Sequence, residues 1–216
     1  MLALYGHPFS SYTWKALIAL YDTEIPFEFR VVDPEHPRHQ EIVKSASPLG
    51  KFPVLDDDGA LIFEATSIIE HLSDRFDNAA ALIPSERAAA ISLRMMDRVF
   101  DNYVMGVMQI VVDEYIRDAE NPDATRIGEA REKLIRVYGW LESWLDRYDR
   151  PERISLIECA AAPSLFYADW VHPIPEDCSR LKQWRAHLLS LPAVKRCVDD
   201  ARPYRGWFPP GAPDRD

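Results

Sequence analysis

The stretch "KFPVLDDDGALIFEATSIIEHL", residues 51–72, changes its hydrophobic period partway through. Pro-Val-Leu and Ala-Leu-Ile-Phe flank Asp57-Asp58-Gly59, the signature of a tight hairpin, whose turn needs residues that tolerate positive φ. Past Phe63 the spacing becomes helical: Ile68, Ile69, Leu72 and Phe76 share one face of a helix over 65–76. Toward the N-terminus, "LALY" (2–5) reads as a strand. Trp14, Leu17, Ile18 and Tyr21 fall at i, i+3, i+4 and i+7 of a helix. Phe27, Phe29 and Val31 alternate as in a strand, and the polar run 33–47 carries a short helix. Strand, helix, strand, short helix, hairpin, helix is the order of a small α/β sandwich with a mixed sheet.

After residue 77 the strand pattern stops. Residues 78–86 read as a linker, which divides the chain into an α/β part (1–77) and an all-helical part (87–216). Met96, Val99, Phe100, Tyr103, Val104, Val107, Met108, Val111, Val112 and Tyr115 advance by alternating steps of three and one, which predicts one long amphipathic helix. Leu134 to Tyr148 supply a second. Ser155-x-x-Glu158 is a capping box that starts a third, and Pro163 is expected to kink or shorten it. "CSRLKQWRAHLL" and "PAVKRCVDDA" supply two more.

Composition excludes several functions. With 35 acidic against 25 basic residues, a net charge of -10 and no run of five like charges, the chain is unsuited to binding nucleic-acid phosphates. The N-terminus has neither a basic leader nor an apolar span of membrane length. Cys159, Cys178 and Cys197 are too few and too widely spaced for a disulfide framework or a metal-ligand set, so no metal is expected and a reducing cytoplasm is. Only the last residues, "PPGAPDRD", read as unstructured.

Three features carry chemistry. "HPFSSYTWK" (7–15) puts two hydroxyls at a helix start, where unpaired N–H groups and a partial positive charge favour an oxygen cap or an anion. One serine suffices as a cap. Set against the C-x-x-C-x-K motif of thioredoxin-like redox domains, Ser10 falls on the first cysteine, Thr13 on the second and Lys15 on the lysine. Without a cysteine there the chain cannot exchange disulfides itself, yet the helix end can still steady another molecule's thiolate. "PLGKFPVL" places Pro53 at a strand start, as thioredoxin-like domains place a cis proline beside a residue, here Phe52, whose backbone serves a peptide-like ligand. "FEATSIIEHL" puts Glu64 and Ala65 at a second helix start, which suits carboxylates, while Glu64 suits an ammonium.

These motifs, in this order and followed by a helical half, resemble the cytosolic glutathione transferases. The likeness spans nearly the whole chain, is densest in 2–77, and continues in "SLIECAAAP", "LPAVKR" and "ARPYR". Bacterial members of the serine-type branch look most similar. The resemblance implies a thioredoxin-like α/β N-terminal domain plus an all-α C-terminal domain, a homodimer, and glutathione as co-substrate for attack on a small electrophile, as in detoxification. Ser10 or Ser11 would meet the sulfur; Ser10 is preferred because it holds the redox thiol's position, with Tyr5 and Tyr12 as weaker claimants. Lys51, with His39 or Arg38, would face the glycyl carboxylate, and Phe52 and Pro53 the cysteinyl unit. Glu64 and Ala65 would form the γ-glutamyl site, where the family's usual pattern is Glu-Ser, so Ala65 removes one hydroxyl donor. Tyr103, Met105 and Met108, with Tyr115, are expected to line the second-substrate pocket, and Asp97 or Asp101 to reach a partner subunit's glutathione. Two other readings keep the scaffold: a glutathione-dependent isomerase or peroxidase, and a non-catalytic interaction protein, which the loss at position 65 favours.

Overall fold

A computed structural model describes residues 1–149, 151 and 153–216. The N-terminal region is a four-stranded mixed sheet: β1 (Leu2–Gly6), β2 (Phe27–Val31), β3 (Val54–Asp57) and β4 (Ala60–Phe63), in the order β2-β1-β3-β4. β1 runs parallel to β2 and antiparallel to β3, which pairs antiparallel with β4. The parallel pair needs a crossover, which is α1 (Ser11–Asp22). The β3–β4 hairpin closes through Asp58 and Gly59, both at positive φ (50° and 95°), as a two-residue turn of matching twist requires.

Central β1 is buried throughout, and its side chains alternate between two apolar layers. Leu2 and Leu4 join the main core with α1 and α3 (Ala65–Arg75). Ala3 and Tyr5 pack with Val43 of α2 (Pro37–Ala46), which covers the opposite face. Gly6 ends β1 because a Cβ there would lie 2.5 Å from the Thr13 side chain on α1. A 3-10 segment, Asp77–Leu82, leads out of α3, and its Ala79 and Leu82 are buried in the main core.

The remainder is helical: α4 (Arg87–Arg98), α5 (Gly106–Arg117), α6 (Ala124–Trp144), α7 (Leu156–Val171), α8 (Ser179–Ser190) and α9 (Pro192–Ala201). Central α7 is buried along its whole length and packs on α1, α4 and α8. Its capping box is present: Ser155 Oγ accepts the Ile157 N–H, and Glu158 accepts the Ser155 N–H at 3.0 Å. Pro163 does not shorten it. The helix runs on to Val171, and Ser164 Oγ donates to the Ala160 carbonyl at 2.7 Å. One continuous core joins side chains from the sheet, α1, α3 and every later helix.

The single long helix expected over 96–115 is corrected. A π-helical segment, Val99–Met105, separates α4 from α5, with the Gly106 N–H donating to the Asp101 carbonyl five residues back. Glycine suits this wider turn, since a Cβ on Gly106 would lie 3.3 Å from that oxygen. Widening the turn shifts the phase of everything after it, so a 3.6-residue extrapolation points those residues the wrong way. The C-terminal tail is also tied down: Asp216 pairs with Arg202 and Arg205, and Arg215 pairs with Asp169 on α7. Among the described residues no helix is long and apolar enough to cross a membrane.

Candidate active site

Two adjoining cavities share Tyr12 and Phe52 in their walls. The smaller, about 230 Å³, lies between the hairpin, the start of α3 and the π segment. Lys51, Phe52, Pro53, Glu64 and Ala65 line it, together with Asp101 and Asn102. The Phe52–Pro53 bond is cis. Among the described residues neither the N–H nor the carbonyl of Phe52 has a hydrogen-bond partner, so both are free for an extended ligand. Glu64 holds φ at 69°, a left-handed conformation that a non-glycine residue adopts at a cost of about 1–3 kcal/mol and that clusters at functional sites. It caps no N–H of α3, so the first N–H groups of that helix and the exposed carboxylate remain available. His39 lies elsewhere. Its Nδ1 donates to the Val31 carbonyl at 2.6 Å and its ring stacks on His36, away from this cavity.

Ser10 is the N-cap of α1: its Oγ accepts the Thr13 N–H at 3.3 Å. Capping uses a lone pair of the oxygen and leaves the hydroxyl proton free to donate. Ser11 is the first helical residue, and among the described residues its hydroxyl has no partner. Both serines line the larger cavity, about 400 Å³. Tyr5 is excluded from it, being buried under β2 with its hydroxyl bonded to Arg30. Tyr12 lines both cavities. Burial, reinforced by Asp101, Glu64 and Asp97, pushes its phenol up to about 12, so it can only donate a proton at neutral pH.

The larger cavity is predominantly aromatic. Phe9, Tyr167, Trp207 and Phe208 contribute rings, and Met108 and Val112 of α5 face them. His7 stacks on Trp207 with centroids 5.6 Å apart and meets Tyr204 edge-on at 4.7 Å. Its Nδ1 accepts the Phe9 N–H at 3.2 Å, and burial lowers its pKa, so a neutral ring with the proton on Nε2 lines the wall. Of the residues expected there from periodicity, only Met108 is a lining residue. Met105 is 1% exposed in the core, and Tyr103, 58% exposed, borders a separate cleft with Lys133, Arg136 and Trp140. The π segment causes both misplacements.

Sequence reading missed the second polar feature. Lys15 is only 1% exposed, and its Nζ lies 2.5 Å from Asp97, 2.7 Å from Asp101 and 2.8 Å from Thr66 Oγ1. Asp97, expected to reach a partner subunit, is instead buried within its own chain. A signal existed: Lys15 is the one charged residue in "SYTWKALIALY". Trp207 and Phe208 were missed because an aromatic pair near the chain end has no periodicity to place it. The three cysteines are buried and unpaired, and burial pushes their thiols up, which keeps them unreactive.

A thioredoxin-like mixed sheet followed by a helical part, with a polar cleft at two helix starts, defines the class of protein. Residues 4–80 match the family model of the glutathione S-transferase N-terminal domain. Glutathione S-transferase hmp2 of Hypomyces subiculosus is 26% identical over 177 residues, covering 76% of this chain and 81% of that protein. Glutathione S-transferase F6 of Arabidopsis thaliana is 23% identical over 207 residues, 91% of this chain and 99% of that one. The crystal structure of a glutathione S-transferase from Methylobacillus flagellatus with GSH bound shares the fold, with a TM-score of 0.78, 24% identity, and coverage of 91% of this chain and 98% of the other. The matched domain and these relatives support the glutathione transferase family and a glutathione transferase enzyme. They come from a fungus, a plant and a bacterium, so no bacterial serine-type branch is singled out.

Proposed function

We propose that the chain binds glutathione in the smaller cavity and conjugates its sulfur to a small, uncharged electrophile held in the larger one. The observation that carries this reading is the meeting of a polar and an aromatic cavity at Tyr12 and Phe52, with the two serines of the α1 start beside the junction. In this reading Lys51 receives the glycyl carboxylate and the unpaired Phe52 backbone receives the cysteinyl unit. The N–H groups at Ala65 receive the γ-glutamyl carboxylate, with Glu64 beside its ammonium. Ser10 donates its hydroxyl proton to the thiolate while its oxygen continues to cap the helix. The protein works as a cytoplasmic homodimer.

Serine's contribution is bounded. A thiol of pKa about 8.5 is only a few per cent ionised at pH 7, and a two-unit drop raises the thiolate about 25-fold. Lower basicity removes roughly six- to tenfold of that gain. Most of the acceleration therefore comes from holding the electrophile against the sulfur, which contributes several kcal/mol. The test is the ultraviolet thiolate absorbance of bound glutathione as a function of pH. A bound pKa well below 8.5 that returns toward the free value in Ser10→Ala is the expected result. If the lowered value persists in that variant, the role passes to Ser11. Absence of glutathione binding overturns the reading.

A further inference from the structure

Lys15 is a rare feature: a fully buried lysine with two carboxylates and a hydroxyl around one ammonium. Its partners come from three elements that meet at the smaller cavity. Lys15 belongs to α1, which also carries the two serines. Thr66 follows Ala65 in the first turn of α3, and Asp97 and Asp101 lie at the end of α4 and in the π segment. The bonds form a closed network, since Thr66 Oγ1 accepts from Lys15 and donates to Asp97 Oδ2 at 2.9 Å. Asp97 is satisfied several times over, with Lys15, Thr66 and, from the solvent side, Arg98 at 3.5 Å. Asp101 has Lys15 as its single ion-pair partner among the described residues, and it lines the cavity.

One ammonium shared between two buried carboxylates leaves negative charge over. That charge resides at the cavity wall on Asp101, across from the unpaired Glu64 carboxylate and at a distance from the Lys51 end. A buried carboxylate half-neutralised in this way calls for a further cation. The ammonium of a γ-glutamyl group is a cation of the right kind, and Ala65 offers that group no hydroxyl.

We infer that Lys15 is a positioning residue for glutathione: it tethers Asp101 and the Thr66 turn so that Asp101 of the same chain receives the γ-glutamyl ammonium in place of the hydroxyl absent at position 65. This rests on the proposed glutathione site and adds to it a residue that touches no substrate. It also accounts for the lysine's burial, which a merely structural ion pair does not require, because apolar residues of similar volume stabilise a core as well or better.

The experiment measures KM for glutathione and kcat with chlorodinitrobenzene as electrophile, alongside KM for N-acetylglutathione, whose ammonium is gone. In Asp101→Asn, which keeps the Lys15–Asp97 pair, KM for glutathione is expected to rise about tenfold or more while kcat stays within about twofold, because a charge-assisted contact is lost. N-acetylglutathione, already weak with the wild type, loses nothing further. Lys15→Met should reproduce the KM rise. Since it strands two buried carboxylates and can fail to fold, Lys15→Met combined with Asp97→Asn removes one charge of each sign and provides the same readout. Equal losses for both peptides in Asp101→Asn, or an unchanged glutathione KM in the double variant, overturn the inference. Calorimetry of the wild type separates the two failures: no glutathione binding defeats the proposed function, whereas binding that is indifferent to acetylation defeats the role of Asp101 alone.

Discussion

The two cavities that meet at Tyr12 and Phe52 are built from opposite kinds of sequence. Most of the smaller one comes from a short contiguous run, Lys51 to Ala65, completed by Tyr12, Ser47 and the π segment. The larger one gathers residues from the α1 start, α5, α7 and positions 207–209. The difference follows from what each wall must do. A peptide is recognised by backbone N–H and carbonyl groups at a strand start and a helix start, and those places are marked by Pro53, Gly59 and the hairpin-to-helix change. An apolar wall needs only bulk, which many residues supply, so its members carry no local mark.

That contrast can be broken experimentally. The largest effect is expected from Ser10→Ala, which sits where the cavities meet. The thiolate fraction of bound glutathione at pH 7 should fall by up to about 25-fold. Turnover should fall by only about two- to fourfold through ionisation, because the remaining thiolate is the stronger nucleophile. The same change removes the cap of α1 and should lower stability by about 0.5–2 kcal/mol, read from chemical denaturation. A turnover loss matching the full drop in ionisation would show that proximity matters less than argued here.

Ala65→Ser tests the polar cavity alone. Restoring a hydroxyl beside the γ-glutamyl carboxylate should lower KM for glutathione by about three- to tenfold, the lower part of the range for a hydrogen bond to a charged group. KM for the electrophile should not change. Trp207→Ala tests the aromatic cavity alone. Losing the ring that stacks on His7 should raise KM for an aromatic electrophile by about two- to tenfold, the worth of an aromatic pair. Tyr103→Ala, on the separate outer cleft, should leave that KM unaltered. If Tyr103→Ala and Trp207→Ala behave alike, the boundary drawn between the cleft and the cavity is wrong.

The smallest effect concerns stability and pH. Burial raises the pKa of Asp101, and Asp97 adds to the shift, against the opposing pull of Lys15. The folded state therefore holds that proton more tightly than the unfolded chain. The stabilisation this gives is complete below the ordinary carboxylate value of 3.8 and is lost as pH rises through the raised value. Asp101→Asn cannot lose it, so its melting temperature relative to wild type should climb as pH rises from about 4 and then level off. A difference that is constant across that range would mean that Asp101 has no raised pKa.

Much of the fold was legible for a simple reason. The hairpin, α1, α3 and the Ser155 box each depend on neighbours within a few residues: a two-residue turn, a 3.6-residue repeat, a cap three residues from its glutamate. Pro163 misled because its helix is buried on all sides, and packing outweighs the lost N–H donation. The tail "PPGAPDRD" misled because its order comes from Asp169, Arg202 and Arg205, which composition does not report.

By itself the sequence determined the order of strands and helices, the helix starts that present N–H groups, and the polar run from Lys51 to Ala65, because short-range sterics and capping decide these. Tertiary structure alone decided the rest. It turned Tyr103 outward and Met105 inward through the π segment, brought Trp207 onto His7 across two hundred positions of chain, and enclosed Lys15 with Asp97, Asp101 and Thr66. Those outcomes depend on how distant elements share a core, and a charge or a ring acquires its role there only after its neighbours are in place.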